Sequence, residues 1–223
     1  MLEGQKCLVI GSGISGIGAV ALLEKYHADV VLYDSSDKLT KEDLEAKLPG
    51  ESKAVCIAGE LPEEVELSIQ AAVLSPGVPT DIPLVNRMRD RGVQILGEIE
   101  LGFLAEQGRV IAITGTNGKT TTTTLTGEIM KAHFGAEKTF VVGNIGNPYT
   151  LEVTKTSKDS VTVGEISSFQ LETIHTFHPV VSAILNITPD HLNRHHTMEA
   201  YVAAKEACLL YTSPSPRDMR RSR

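Results

Sequence analysis

Ile113-Thr114-Gly115-Thr116-Asn117-Gly118-Lys119-Thr120 closes an apolar run, residues 110–113, and opens a threonine-rich stretch, residues 121–131, that reads as a helix. A strand that ends in a glycine turn, then Lys-Thr, then a helix is the layout of a phosphate-binding loop. Inward-pointing backbone N–H groups and the positive end of the helix favour an anion there. Lys119 is placed to reach outer phosphates and the Thr120 hydroxyl to hold Mg²⁺, so a nucleoside triphosphate is the leading ligand. The loop is short: the usual first glycine, five positions before the Gly-Lys pair, is replaced by Ile113.

The same strand–turn–helix order occurs near the start of the chain. Gly11-Ser12-Gly13-Ile14-Ser15-Gly16 follows one apolar run, and Asp34 ends the next. This is the dinucleotide fingerprint, in which the acid meets a ribose hydroxyl, and taken alone it reads as an NAD site. The same helix N-terminus suits a uridine diphosphate equally well, and a close-packed turn that binds nothing has the same pattern. A third turn, Ser75-Pro76-Gly77, is either pocket lining or plain turn chemistry.

Short apolar runs at 7–10, 30–33, 54–57, 71–74, 93–96, 110–113, 140–142, 161–163 and 180–185 read as strands, with helical stretches between many of them. Such continuous runs suit parallel sheets covered on both faces. The class is α/β, doubly wound. Two glycine loops imply two domains: a Rossmann-like domain over 1–95 and a truncated P-loop-type parallel-sheet ATPase domain over 96–207. The break falls near residue 95, at Leu96-Gly97-Glu98-Ile99-Glu100-Leu101. Residues 208–223 read as a divergent, disordered or non-native tail. From Thr212 onward they hold four arginines, one aspartate and no apolar period.

The 223 residues carry a net charge of −7, which removes the electrostatic case for nucleic-acid binding. Three widely spaced cysteines show neither a disulfide framework nor metal-ligand spacing, which suits a reducing compartment. No run approaches the ~18 apolar residues of a membrane helix, and no signal peptide is evident, so the expected setting is cytoplasmic, without membrane insertion. Glu165, at the end of an apolar run, is a candidate Mg²⁺ ligand, with an N-cap or solvated glutamate as the plainer reading. Asn186, Asp190 and His191 follow another run into the same crevice. His191, His195 and His196 have spacing that makes zinc conceivable, but no nearby cysteine or glutamate completes a motif, and His195 and His196 read as solvent histidines.

Four motifs then occur in order: Gly115-Thr-Asn-Gly-Lys-Thr120, Gly143-Asn144-Ile145-Gly146, Glu165-Ile-Ser-Ser-Phe-Gln-Leu-Glu172 and Asn186-Ile-Thr-Pro-Asp-His191. The set resembles the Mur ligases of peptidoglycan synthesis over residues 5–207. The Glu165 to Glu172 run and the Leu96 to Leu101 junction resemble the D-glutamate-adding branch of that family. The resemblance implies UDP-N-acetylmuramoyl-L-alanine and D-glutamate as substrates, with ATP and two Mg²⁺ ions. It implies a UDP rather than an NAD site in the first domain, with Ile14 and Ser15 at the diphosphate and Asp34, Ser35 and Gly77 around the uridine. Gly115, Thr116, Asn117, Gly118, Lys119 and Thr120 would cradle the ATP phosphates. Thr120 and Glu165 would hold one Mg²⁺; His191 and a carbamylated Lys205 would hold the other. Asn144, Ser167 and Gln170 would contact the muramoyl-alanyl part, and Lys119, Glu165, His191 and Lys205 form the catalytic set. The implied chemistry is attack of the alanyl carboxylate on the ATP γ-phosphate, then displacement of phosphate from the acyl phosphate by the amine of D-glutamate. The resemblance ends near Ala207, without the family's C-terminal domain, so the chain as written is expected to lack turnover. Asn193 stands where the family often has aspartate. The rival readings are a UDP-sugar- or dinucleotide-binding module without catalysis, a nicotinamide-dependent dehydrogenase, and an unrelated P-loop kinase.

Overall fold

The computed structural model describes residues 2–208. A strand forms at each expected run: β1 (Lys6–Ile10), β2 (Asp29–Asp34), β3 (Val55–Ala58), β4 (Ala71–Leu74), β5 (Gln94–Gly97), β6 (Arg109–Thr114), β7 (Thr139–Gly143), β8 (Val161–Glu165) and β9 (Val181–Ile184). The intervening helices are α1 (Ile14–Lys25), α2 (Lys41–Glu45), α3 (Glu63–Ser68), α4 (Pro83–Asp90), α5 (Glu98–Ala105), α6 (Lys119–Phe134), α7 (Tyr149–Glu152), α8 (Ser168–Leu171), α9 (Leu192–His195) and α10 (Met198–Glu206).

Two sheets result, ordered β3-β2-β1-β4-β5 and β7-β8-β6-β9, and every pairing is parallel. The chain leaves β1 towards β2 on one side and returns to β4 on the other. The ends of β1 and β4 therefore form a switch point, where α/β sheets bind ligands. Strands β1, β2, β4, β5 and β8 are buried along their centres because helices cover their faces, whereas β9, at the edge of the second sheet, has no buried residue. The first sheet closes at Gly97, where β5 pairs with Leu74 of β4, so β5 runs through the break expected near residue 95. The threonines of α6 are poor helix formers. The helix forms because it lies close on the second sheet: a Cβ on Gly127 would stand 2.6 Å from Val141 Cγ2.

One hydrophobic cluster runs through both sheets, joining Val9, Leu22 and Leu32 to Val110, Val142, Tyr149 and Phe177. Cys208, expected to begin the tail, belongs to this cluster, and burial pushes its thiol up to about 12. The rest of the expected tail lies outside the described residues.

Two carboxylates of helix α5 and a third just beyond its end join the two sheets. Glu98 Oε1 accepts from Thr150 N (2.7 Å) and Oγ1 (2.8 Å). Glu100 accepts four bonds of 2.6–3.1 Å, from His175 N, Thr176 N, Thr176 Oγ1 and Phe177 N. Glu106 Oε2 accepts from Tyr149 Oη at 2.8 Å and Thr162 Oγ1 at 2.7 Å. Glu98 and Glu100 are only 2% and 1% exposed. Donors take the place of water at both oxygens of Glu100 and at Oε1 of Glu98. Glu98 Oε2 has no hydrogen-bond partner among the described residues, and burial pushes that carboxyl up. Glu106 belongs to the same junction, just beyond the helix end.

A separate cluster ties α3 to α4. Glu66 Oε1 accepts from Arg87 Nε (3.0 Å) and Arg91 Nη1 (2.7 Å), and Oε2 accepts from Arg87 Nη2 (2.6 Å). Hydrogen bonds from Arg87 lead, and outweigh burial, in holding the Glu66 carboxyl down to about 2. A carboxyl lowered by folding stabilises fully above its unfolded value of 4.5 and loses that contribution as pH falls toward 2. Urea unfolding measured from pH 6 to pH 2.5 is expected to show a shallower acid loss for Glu66→Gln than for wild type. Parallel pH profiles would contradict the assignment.

Candidate functional site

The C-terminal ends of both sheets open on one cleft of about 450 Å³. One wall is the first glycine loop with Asp34 and the Ser75 to Val78 turn; the other is Gly143, Asn144, Gly146, Pro148 and Gln170. Of the residues expected at the substrate, Ile14, Ser15, Asp34, Gly77, Asn144 and Gln170 line this space. Ser35 is exposed beside Asp34 but is not part of the lining. Ser167 is the N-cap of α8; its hydroxyl exchanges bonds with Gln170 N (3.3 Å) and Oε1 (3.0 Å), so it orients Gln170 and is not itself lining.

Asp34 is more committed than its fingerprint role suggests. Its Oδ2 accepts from Ser12 N (3.0 Å) and Ser12 Oγ (2.6 Å), and its Oδ1 accepts from Ser36 N (3.1 Å). Burial pushes the carboxyl up, but the Ser12 and Ser36 bonds and the Lys47 charge outweigh it, and the group sits below the usual range. Lys47 Nζ reaches Ser12 Oγ at 2.9 Å and Ser12 O at 3.3 Å. Ser12 and Lys47 are thus parts of the site that sequence reasoning missed. Ser12 stood inside the quoted loop as an unassigned position; Lys47 carried no signal, since its reach depends on how α2 packs. Ser75 joins them by donating to Gly11 O at 3.1 Å, which fastens the two turns at the switch point.

The second loop is strapped from outside. Thr116 N donates to Asn186 O (3.0 Å), Asn117 N to Asn186 Oδ1 (2.9 Å), and Asn186 Nδ2 to Asn117 O (3.0 Å). Thr116 Oγ1 bonds Thr188 O (3.1 Å) and Tyr201 Oη (3.0 Å). Lys119 Nζ folds back onto Gly115 O and Thr116 O, each at 3.0 Å, at the mouth of the loop. Thr120, at the first turn of α6, is exposed.

Glu165 is not a solvated residue: it ends β8, paired with Ile113 on one side and Gly143 on the other, and is 1% exposed. Its Oε1 accepts from Asn144 Nδ2 at 2.7 Å, while its buried Oε2 has no hydrogen-bond partner among the described residues. Lys205 is also 1% exposed; its Nζ donates to Gly115 O at 2.8 Å and lies 4.7 Å over the Tyr201 ring. Burial first, and the Lys119 charge second, bring its amine down to about 8.

His191 has a left-handed backbone, φ 52°, and an exposed ring that stands 3.4 Å from Asp190 Oδ2 and 4.9 Å from the Phe169 ring. His195 corrects the solvent reading. It is 7% exposed, its Nε2 lies 2.9 Å from Ser168 Oγ, and its Nδ1 lies 3.3 Å from Glu172 Oε1. Burial lowers its proton affinity despite Glu172. His196 is exposed, as expected. Among the described residues no three His, Cys, Asp or Glu side chains come together as a metal-binding group, so phosphate oxygens or water would have to complete any metal shell at Thr120, Glu165, His191 and Lys205. No described helix is long and apolar enough to cross a membrane.

Two family models match the chain: Mur ligase MurD-like, N-terminal domain, over residues 5–97, and Mur ligase middle domain over residues 113–214. The chain belongs to the Mur ligase family, a family of ligases. The middle-domain match passes the point near Ala207 where the resemblance was expected to stop. The UDP-N-acetylmuramoylalanine--D-glutamate ligase of Lachnospira eligens is 58% identical over 205 residues, which is 92% of this chain and 45% of the relative. The ligase of the same name from Lachnoclostridium phytofermentans is 55% identical over 202 residues, 91% of this chain and 44% of the relative. The chain therefore spans a little under half the length of these relatives. In fold it is similar to the UDP-N-acetylmuramate:L-alanyl-gamma-D-glutamyl-meso-diaminopimelate ligase of Neisseria meningitides, with a TM-score of 0.59 at 14% identity over 98% of this chain and 74% of that one. A murein peptide ligase from Psychrobacter arcticus gives 0.53 at 13% identity, covering 98% of this chain and 51% of that one.

The strapped loop makes a graded prediction about its two glycines. Gly115 has φ +148°, and a Cβ there would stand 3.2 Å from Leu185 Cβ and 3.3 Å from Asn186 O. Gly118 has φ +82° with only Leu185 Cδ1 near, at 3.6 Å. Gly115→Ala is expected to cost about 2–3 kcal/mol of stability and Gly118→Ala about 1 kcal/mol. Denaturant unfolding that ranks them equally would contradict this geometry.

Proposed function

We propose that this chain is the UDP-substrate-binding and ATP-binding part of an ADP-forming ligase that joins D-glutamate to UDP-N-acetylmuramoyl-L-alanine. The observation that carries the reading is one cleft lined by the first glycine loop on one side and by Asn144 on the other. Asn144 also holds Glu165, which links the cleft to the strand beside the one that leads into the phosphate-type loop. A substrate seated with its diphosphate at Ile14 and Ser15 and its uridine near Gly77 would send its far end toward Asn144 and Gln170. That is the end whose carboxylate must meet ATP. Asp34 is already engaged by Ser12 and Ser36, and both UDP and NAD carry a ribose diol, so the choice of UDP rests on the family match and on relatives named for a UDP-linked substrate.

The residues fit a hard divalent cation. Glu165 offers a buried, unpartnered carboxylate oxygen, and Thr120 offers a hydroxyl at the start of α6. His191 and Lys205, the latter as a carbamate, would serve a second ion. Bound Mg²⁺ would neutralise the charge that builds up when a carboxylate approaches a triphosphate. Lys119, released from Gly115 O and Thr116 O, would follow the transferring phosphoryl group. Lys205 is prepared for carbamylation because an amine lowered to about 8 offers more free base to CO₂ than a surface lysine does. Conversion to an anion would turn its repulsion by Lys119 into attraction. The setting we infer is the cytoplasm, in cell-wall synthesis; the buried, unpaired cysteines support a reducing compartment.

Titration of the chain with the ATP analogue AMP-PNP tests the metal and phosphate part. Binding is expected to depend on Mg²⁺, and Glu165→Gln to weaken it at least about tenfold. Affinity that ignores both Mg²⁺ and Glu165 would refute it. After equilibration with ¹³C-bicarbonate, a carbamate carbon resonance is expected in wild type and lost in Lys205→Arg; a wild-type spectrum without it would remove the carbamate.

A further inference from the structure

Arg194 joins parts of the molecule that the chemistry above treats separately. Its Nη1 donates to Pro76 O (3.3 Å), and its Nη2 donates to Val78 O (3.2 Å) and to Glu172 Oε2 (2.8 Å). Its Cζ lies 4.2 Å over the Phe169 ring. The side chain is 16% exposed. Pro76 and Val78 flank Gly77 in the turn that lines the first wall of the cleft. Glu172 and Phe169 belong to the stretch whose Gln170 lines the second wall. Phe169 also lies 4.9 Å from the His191 ring and 5.5 Å from the His195 ring, and His195 returns to Glu172.

The chemistry of these partners fits one residue type. Two backbone carbonyls and a carboxylate need several donors in fixed directions, and Phe169 needs a flat cation laid on its face. A guanidinium provides both; an ammonium on a flexible stem does not. Simple neutralisation of Glu172 would need neither the Pro76 and Val78 carbonyls nor the stacking. The carbonyls are on the first-sheet side of the cleft, 116 and 118 positions away in the chain.

The geometry points to Arg194 as a positioning residue that fixes the Ser75 to Val78 turn against α8 and the His191 turn, so that filling the cleft and placing His191 are coupled. The ligand half of this assignment rests on the reading of the cleft as a UDP site. The tether itself rests on contacts within the chain. Arg194 touches no reacting atom; it acts through Gly77 on one side and Phe169 on the other.

The test is made on the whole chain, as wild type, Arg194→Ala and Arg194→Lys. The lysine variant keeps a charge opposite Glu172 and guards against a variant that fails to fold. Amide exchange at Val78, whose N–H bonds Ser75 O at 2.9 Å, reads the turn directly. Both variants are expected to exchange there at least about tenfold faster, because the turn opens locally once its anchor is gone. UDP affinity is expected to fall at least about tenfold in both, while AMP-PNP affinity measured without UDP changes less than about twofold. In wild type UDP is expected to shift AMP-PNP affinity, and in both variants that shift is expected to vanish. Unchanged exchange at Val78, or full rescue by lysine, would overturn the assignment. If UDP bound neither wild type nor variants, the functional reading and the ligand half would fall together, and the exchange result would still decide the tether.

Discussion

The arrangement of this molecule depends on where two parallel sheets are allowed to meet, and buried carboxylates on one short helix decide that. Helix α5 leaves the first sheet at Gly97 and carries Glu98 and Glu100 into the interior. Buried carboxylates are costly unless donors replace water. For Glu100 those donors are consecutive groups from His175 to Phe177, in the segment that leads to β9. For Glu98 they come from Thr150, at the start of α7. Each donor set occurs at one place in the second half of the chain, so the contact fixes position as well as adhesion. Non-directional apolar burial across the shared cluster supplies attraction without that address.

Once the sheets are fixed, the first glycine loop faces the Gly143 to Gly146 turn across one cleft, and Asn144 of that turn bonds Glu165, on the strand beside the one that leads into the phosphate-type loop. The chemical demands on the two glycine loops differ, and so do the ways they are held. The first wall is fastened at its switch point by Ser12, Asp34 and Ser75, with Lys47 offsetting the carboxylate. The phosphate-type loop is held by Asn186 and Thr188, which follow β9, and by Tyr201 of α10. That strapping also explains the buried lysine. Lys205 lies beneath the loop, bonded to Gly115 O, where a cation loses water and meets Lys119. A lysine held in such a place is destabilised as an ammonium, which is the condition that favours its conversion to another form.

Much of the fold was legible because parallel strands buried on both faces are written as short unbroken apolar runs. Val161 and Val163 or Ala71 through Leu74 declare themselves by composition alone. The phosphate-type loop was equally plain, since its glycines, lysine and threonine act within six consecutive residues. The burial of Glu98 and Glu100 was not legible. Adjacent to a predicted break, acidic residues look like a solvated linker, and only the distant donors of Thr150 and His175 to Phe177 change their meaning. His195 was misread for the same reason: its partners Ser168 and Glu172 lie more than twenty positions away. Local grammar carries strands and loops; contacts between remote segments carry the walls of the site.

Calorimetric titration decides whether the cleft between the sheets holds a UDP-linked carboxylate, as proposed. The chain would be titrated with UDP-N-acetylmuramoyl-L-alanine and, separately, with NAD, and the variant Asn144→Ala would be run beside it. Saturable binding of the UDP compound is expected, with no measurable heat from NAD and affinity at least about tenfold weaker for Asn144→Ala, a loss of at least ~1.4 kcal/mol. Saturable binding of NAD without binding of the UDP compound would contradict the proposal.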